Sequence, residues 1–256
     1  MRTVMAKYEE RFTNKAEIYK KYRPSYPKEL IDYLYTKVGF CRGSVIADIG
    51  AGTGIFGRLL LEKGSRVYSV EPNADMRRIA EADLSGFANF VSVDAPAEHT
   101  RINDHSIDFV TAAQAFHWFD ELVFRAECKR ILRPGGKVVL VWNVRDYSNE
   151  IVQKDYAIRE RYCIDRGGLG ENGGPPKDTR FFAYGICETM VFQNDLILDR
   201  NAYIGMNLTR SYAPTKESHP DKFHGFVSEL GMLFDECSVN GILAFPHTTR
   251  SFVGDV

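Results

Sequence analysis

Residues 44–54, SVIADIGAGTG, decide the fold of this chain. Four of the first six residues are apolar and include β-branched types, which is typical of a parallel strand buried on both faces. The glycines at 50, 52 and 54 follow at once, and residues 53–63 then have the pattern of a helix that Gly64 would end. A strand that runs through a glycine-rich turn into a helix predicts a backbone turn that cradles a ligand.

The spacing of these glycines bears on which ligand the turn would hold. A dinucleotide fingerprint reads G-x-G-x-x-G and would require a glycine at position 55, where this chain has Ile55. The observed spacing is G-x-G-x-G. Asp48 precedes the first glycine by two residues, so we expect its carboxylate to reach a cationic or amino-bearing ligand.

Two more acidic residues follow the next two predicted strands. Glu71 ends RVYSVEP, 21 residues after Gly50, where a carboxylate can accept both hydroxyls of a ribose. This residue alone does not separate a nicotinamide dinucleotide from an adenosine ligand, since both contain ribose. Asp94 and Ala95 follow FVSV, where the carboxylate can accept from an adenine amino group and the Ala95 N–H can donate to a ring nitrogen. Successive strand ends share the carboxyl edge, where open α/β sheets bind ligands.

The rest of the pattern predicts an α/β fold with a doubly wound, mostly parallel seven-stranded sheet. We expect four segments in one domain: an N-terminal helical lid over residues 1–41, a cofactor-binding core over 42–149, a cap over 150–220, and a closing helix with edge strands over 221–256. Within these segments we expect a helix over residues 16–23, a mobile Gly/Pro-rich loop over 167–177, and helix caps at Asn73 and Asp120.

The composition is that of an ordinary globular protein. Of 256 residues, 44% are hydrophobic and 26% are charged, and 33 basic residues balance 34 acidic ones. This balance argues against a nucleic-acid partner. Five scattered cysteines without a C-x-x-C pair, and histidines without ligand spacing, predict reduced thiols and no metal site. No apolar run is long enough to span a bilayer, so we expect a cytoplasmic protein without a membrane partner.

Five stretches of the chain resemble, in order, the sequence motifs of class I S-adenosylmethionine-dependent methyltransferases. They are DIGAGTG, VEPN, DAPAEH, SIDFVTAAQAFHWFD and RILRPGGKVVLVWN. The resemblance covers roughly residues 44–145. Three further stretches, AEIYKKYRPSYP, AFHWFD and LTRSYAP, are similar to a subgroup that includes trans-aconitate-like methyltransferases. This subgroup belongs to the small-molecule (methyltransferase type 11) branch.

The resemblance implies S-adenosylmethionine as cofactor and S-adenosylhomocysteine as product. It places Gly50, Ala51 and Gly52 against the methionine part of the cofactor, and Gln114 near the sulfonium. Glu71 would hold the ribose, with Pro72 and Asn73 beside it, and Asp94 and Ala95 would bind adenine. The N-terminal segment would close over the cofactor through Tyr19, Tyr22 and Arg23.

Other residues have a functional and a structural interpretation. His117 is the candidate catalytic base, or else a packing histidine beside Trp118. Phe116 and Trp118 could equally line an acceptor pocket or belong to the core. Arg145 and Arg210 could bind a carboxylate acceptor or be solvated surface residues. The pair at positions 77 and 78, both arginine, is expected to face solvent on a helix.

We therefore predict a methyltransferase that acts on a small molecule by in-line displacement, with oxygen or carboxylate acceptors favoured, as a monomer or homodimer. An NAD(P)-dependent oxidoreductase remains an alternative, although Ile55 speaks against it. A non-catalytic protein of the same fold that only binds the cofactor is the other alternative.

Overall fold

The computed structural model describes residues 22–164, 179–210 and 212–256. In these ranges the strands are β1 Val45–Ile49, β2 Arg66–Val70, β3 Phe90–Val93, β4 Ile107–Ala113, β5 Leu132–Arg145, β6 Glu188–Gln193, β7 Leu196–Leu198, β8 Leu243–Phe245 and β9 His247–Gly254. Seven of them form one sheet in the order β3-β2-β1-β4-β5-β9-β6, and β7 pairs with β8 in a separate ribbon.

The large sheet is parallel from β3 to β5, and β9 pairs antiparallel with both β5 and β6, so β9 alone of the seven strands is reversed. The prediction of a doubly wound, mostly parallel seven-stranded sheet is confirmed. The strand order reverses direction at β1, which lies between β2 and β4. That reversal opens a crevice at the carboxyl ends of β1 and β4, the usual ligand site of such sheets.

The helices of the described residues are α1 Lys28–Tyr33, α2 Ile55–Glu62, α3 Ala74–Leu84, α4 Glu121–Ile131, α5 Glu150–Tyr162, α6 Arg200–Leu208 and α7 Pro220–Cys237. The helix α1 continues as a π-helical turn to Val38, and Gly39 ends it in the left-handed conformation. Asn73 and Asp120 accept from the backbone N–H of Met76 and Val123, which confirms both predicted helix caps.

Apolar side chains cover both faces of the large sheet. One layer includes Phe124 and Trp142, and the opposite layer includes Leu34, Phe40 and Leu60. Helices on both sides bury the central strands, which explains the apolar residues of β1 and the continuous apolar run over residues 138–142 of β5.

The third apolar cluster lies outside the sheet and corrects the predicted segment boundaries. Helices α5, α6 and α7 pack together around Tyr203, Phe226 and Phe245, and they form what we call the cap. The predicted closing helix, α7, therefore belongs to the cap. Strand β6, which falls inside the predicted cap of residues 150–220, is instead the edge strand of the large sheet.

The tail was also predicted as edge strands, and this prediction is wrong for β9. It lies between β5 and β6 and pairs with both. Residues 16–21 of the predicted N-terminal helix and the Gly/Pro-rich stretch 167–177 lie outside the described residues. No helix in the described ranges is both long and apolar enough to cross a bilayer.

Candidate active site

The glycine turn after β1 is held against the end of β2. The backbone N–H groups of Gly50 and Ala51 both donate to the Val70 carbonyl, at 2.9 and 3.1 Å. Gly50 has φ +67°, and a Cβ there would lie 2.6 Å from the Ala115 Cβ, so packing and backbone both require glycine. A Cβ at Gly52 would have no heavy atom within 4 Å. The turn is therefore closed at Gly50 and open at Gly52, where a ligand can approach the backbone.

Glu71, at the end of β2, lies directly beside this turn. The residue is 9% exposed, its Oε2 accepts from Gly52 N at 2.8 Å, and its Oε1 accepts from Asn73 N at 2.9 Å. The carboxylate is thus held in place beside the glycine turn, where the ribose is predicted to bind. The geometry fits the predicted adenosine ligand.

Arg77 connects the ribose and adenine positions, and its predicted exposure to solvent is wrong. Its side chain is only 17% exposed, and Nη1 donates to the carbonyls of Glu71 at 2.8 Å and Pro72 at 3.2 Å. The same nitrogen lies 3.0 Å from Oδ1 of Asp94, whose side chain is 66% exposed at the rim. Arg78 is exposed as predicted. The neighbouring Ala95 is fully buried, so its backbone forms the floor of this position.

Asp48 lies beneath the glycine turn. The residue is buried, Oδ1 accepts from the Thr111 hydroxyl at 2.8 Å, and Oδ2 lies against Gly57 of α2. Burial raises the pKa of this carboxyl to about 7, and the nearby Glu71 also raises it. These contacts give Asp48 a supporting place under the turn, and its expected contact with a ligand stays a prediction.

Gln114 directly follows β4 and is bonded to β5. It has φ +58°, a left-handed conformation that is rare for a side chain other than glycine and is found preferentially at functional sites. Its backbone N–H donates to Val141 O at 2.8 Å, and its Nε2 donates to Asn143 O at 2.9 Å. These bonds hold the bend that follows β4 at the place predicted for the sulfonium.

The segment before α1, residues 22–26, crosses the carboxyl edge from the cap to the core. Tyr22 packs on α6 so closely that a Cβ on Gly205 would collide with its ring. The Ser25 carbonyl accepts from the side chain of Asn143, at 3.2 Å, and the ring of Tyr26 lies 5.0 Å from that of Phe56. These contacts hold the segment against the carboxyl edge, and its closure over a cofactor stays a prediction. Tyr19 lies outside the described residues.

His117 lies in a short 3-10 turn after β4, and the lid residue Arg23 lies near it. The Nδ1 atom of His117 is buried and has no hydrogen-bond partner in the described part of the chain. Burial lowers the pKa of His117 to about 4, and the positive charge of Arg23 lowers it further. The imidazole is therefore neutral at physiological pH. The neighbouring Phe116 packs against Trp142 and Phe181 in the apolar core, which decides its two interpretations in favour of the core.

The end of β5 meets the cap in a buried charged group. Arg145 and Arg159 both pair with Asp155, at 3.7 and 2.7 Å, and Arg159 Nη1 donates to the Tyr212 hydroxyl at 3.0 Å. Arg145 is therefore not a solvated surface residue. The sequence analysis missed Asp155 and Arg159, although an acid and an arginine four residues apart on the apolar face of a helix signal such a pair.

No group of three His, Cys, Asp or Glu side chains in the described ranges could hold a metal ion. The five cysteines are free thiols.

Comparison with known proteins supports the same assignment as the geometry. Residues 47–140 match the family model of a methyltransferase domain. An uncharacterized methyltransferase of Mycobacterium tuberculosis is 40% identical over 128 residues, which is 50% of each chain. An uncharacterized methyltransferase of Schizosaccharomyces pombe is 30% identical over 151 residues, or 59% of this chain and 58% of the relative. The chain spans little more than half the length of these curated relatives.

Solved structures share the fold over most of the chain. A proposed type II methyltransferase of Anaeromyxobacter dehalogenans superposes with a TM-score of 0.62 at 24% identity, over 91% of this chain and 95% of that one. A proposed methyltransferase from an antibiotic biosynthesis pathway of Anabaena variabilis gives 0.61 at 21% identity, over 87% and 96%. Residues 47–140 are thus similar to a methyltransferase domain, and the two solved structures show that the chain shares their fold.

Proposed function

We propose that this protein transfers a methyl group from S-adenosylmethionine to a small-molecule acceptor, with an oxygen atom favoured as the acceptor. One observation carries the proposal. The open glycine turn at Gly52, the carboxylate of Glu71 and the Arg77–Asp94 pair lie side by side on the carboxyl edge. In that order they match the methionine, ribose and adenine parts of the cofactor.

Each part of the cofactor would have its own protein groups. The open backbone at Gly52 would approach the methionyl part, Glu71 would accept the ribose hydroxyls, and Asp94 with the Ala95 N–H would meet the adenine edge. Gln114 would lie near the sulfonium, at the end of β4.

S-adenosylmethionine supplies a methyl group on an already activated sulfonium. The protein must therefore mainly position the acceptor in line and exclude water. Segment 22–26, which contacts the end of β5, would serve the second purpose together with the cap. The acceptor would approach from the side of His117, which follows Gln114 by three residues.

The preference for oxygen rests on His117 and on the arginines near it. Because the imidazole is neutral, it can accept a proton from a hydroxyl acceptor, which makes His117 the candidate general base, whereas a carboxylate acceptor is already ionised at neutral pH and needs none. A malonyl-[acyl-carrier protein] O-methyltransferase of Hamiltonella defensa, 30% identical over 143 residues and 54% of its length, is a relative whose name states an oxygen acceptor.

Titration calorimetry with S-adenosylhomocysteine tests the cofactor site. We expect binding by the wild-type protein and a Kd about 10- to 100-fold higher for Glu71→Gln, because the amide replaces a charged acceptor and turns a donor toward backbone N–H groups. Glu62→Gln, an exposed position at the end of α2, is the matched control and should bind like wild type.

Three outcomes would contradict parts of the proposal. Absence of binding at millimolar S-adenosylhomocysteine would remove the cofactor assignment, and tight binding of NADH would favour an oxidoreductase. Binding without transfer of a labelled methyl group to any acceptor of a broad metabolite panel would favour a non-catalytic cofactor-binding protein.

A further inference from the structure

A group of buried arginines lies beyond His117, where β5 meets the cap. We call Arg145, Arg159 and Arg210 the arginine cluster. The side chain of Arg145 is 8% exposed, and its Nη2 is buried without a hydrogen-bond partner among the described residues. A buried guanidinium nitrogen that donates to nothing costs free energy, so a bound acceptor group would stabilise it.

Asp155 is the carboxylate nearest to Arg145, but its oxygens are already used by other donors. Oδ2 accepts from Arg159 Nε at 2.7 Å, and Oδ1 accepts from the Tyr203 hydroxyl at 2.9 Å and from Asn207 Nδ2 at 3.1 Å. Arg145 Nε lies 3.7 Å from Oδ2, which is too far for a hydrogen bond. Arg145 and Arg159 therefore share the carboxylate of Asp155, but only Arg159 donates a hydrogen bond to it.

Burial and neighbouring arginines act together on two groups around Arg145. Burial and the charges of Arg145 and Arg210 lower the pKa of His247 to about 3. Burial, Arg145 and Arg23 lower the pKa of Arg210 well below its ordinary value. Burial is the largest cause of both shifts, and the neighbouring arginines act in the same direction, so more than one guanidinium lies near this place.

The position of the cluster connects it with the candidate active site. Arg145 ends β5 two residues after Asn143, whose carbonyl accepts from Gln114. Arg23 of the lid segment is close enough to influence the pKa values of both His117 and Arg210. The positive region therefore extends from the candidate base to the cap, along the side from which an acceptor would enter.

We propose that Arg145, with Arg210 beside it from the segment after α6, binds an anionic oxygen group, and that the methyl acceptor is an acidic small molecule anchored by that group. The anionic group is a carboxylate or a phosphate, which both match the planar fork of a guanidinium. The identity of the bound molecule as methyl acceptor rests on the proposed function, whereas the anion site itself does not.

The first experiment needs no variant. Calorimetry and thermal unfolding are measured with malonate, with inorganic phosphate and with uncharged malonamide, each with and without S-adenosylhomocysteine. We expect malonate or phosphate to bind and to raise the melting temperature, and malonamide to do neither. A response to malonate alone would assign a carboxylate, and a response to phosphate alone would assign a phosphate.

The second experiment compares arginine variants. Arg145→Gln should weaken binding of the responding anion about tenfold or more, because one charged, bidentate donor is lost. Arg145→Lys keeps the positive charge but loses the planar fork of the guanidinium. Its affinity for the anion should therefore lie between those of wild type and Arg145→Gln. Arg250→Gln, an exposed position on β9, is the matched control and should bind like wild type.

The results separate this inference from the proposed function. If S-adenosylhomocysteine binds but neither anion does, or if Arg145→Gln binds the anion as tightly as wild type, the anion site is refuted while the cofactor site stands. If the anions bind through Arg145 but S-adenosylhomocysteine does not, the anion site stands and the proposed function fails.

Discussion

Replacement of Arg77 by methionine tests whether this side chain organises the cofactor edge. The substitution keeps a long apolar stem on α3 and removes the guanidinium, which holds the carbonyls of Glu71 and Pro72 and the carboxylate of Asp94. We expect a loss of both stability and affinity for S-adenosylhomocysteine.

The magnitude follows from the three contacts. One Nη1 atom serves both carbonyls, so we count a single charged hydrogen bond of about 1.5–3 kcal/mol. Asp94 is mostly exposed, so its ion pair adds only about 0–1 kcal/mol. The guanidinium contacts together stabilise the edge by about 2 kcal/mol. If the freed turn must reorder when the ligand binds, this whole amount is lost from the binding free energy, so the Kd can rise by at most about 30-fold.

The assay pairs adjacent arginines of one helix. Urea unfolding and titration with S-adenosylhomocysteine are measured for Arg77→Met and for Arg78→Met, since Arg78 is exposed. We expect a loss of about 2 kcal/mol and weaker binding for the first variant alone. If both variants unfold and bind alike, Arg77 does not organise the edge and the reasoning is refuted.

Two predictions concern pH. The pKa of Asp48 is raised to about 7 by burial, so the folded state favours the protonated acid, and this contribution to stability is lost as pH rises from about 4 through 7. Urea unfolding at pH 5 and pH 8 should therefore show a smaller fall in the free energy of unfolding at high pH for Asp48→Asn than for wild type. Equal falls for the two proteins would contradict this prediction. The pKa of His117 is lowered to about 4, so its imidazole should stay neutral through pH 6 and titrate near pH 4 by NMR, with His117→Asn used to assign the signal; a midpoint near 6.5 would show an exposed ring and count against a buried base.

The cofactor edge could be predicted from the sequence because its parts are local. The glycines follow β1 directly, Glu71 follows β2 and Asp94 follows β3, and parallel strands bring these positions to one edge whatever the rest of the chain does. The N-terminal capping residues of helices α3 and α4, Asn73 and Asp120, were predictable for the same reason. Each side chain accepts a hydrogen bond from a backbone N–H only three positions away.

The remaining site depends on contacts between distant segments. Arg77 looks like any basic residue on a polar helix, and only the fold shows that its side chain turns back over the start of α3. Arg145 comes from β5, Asp155 from α5 and Arg210 from after α6, and no local pattern brings them together. The places of β6 and β9 likewise depend on pairing across more than 40 residues.

The pairing of β5 with β9 has a consequence for synthesis of the chain. Strands β1 to β5 can pair as they leave the ribosome, but one edge of β5 stays open until β9, about 100 residues later, has emerged. During that interval the apolar residues Leu140, Val141 and Trp142 lie on a strand that is paired on one side only, and such an open edge invites aggregation. The nascent protein therefore carries an open apolar edge next to its candidate active site, and we expect chaperone contacts during translation at that edge.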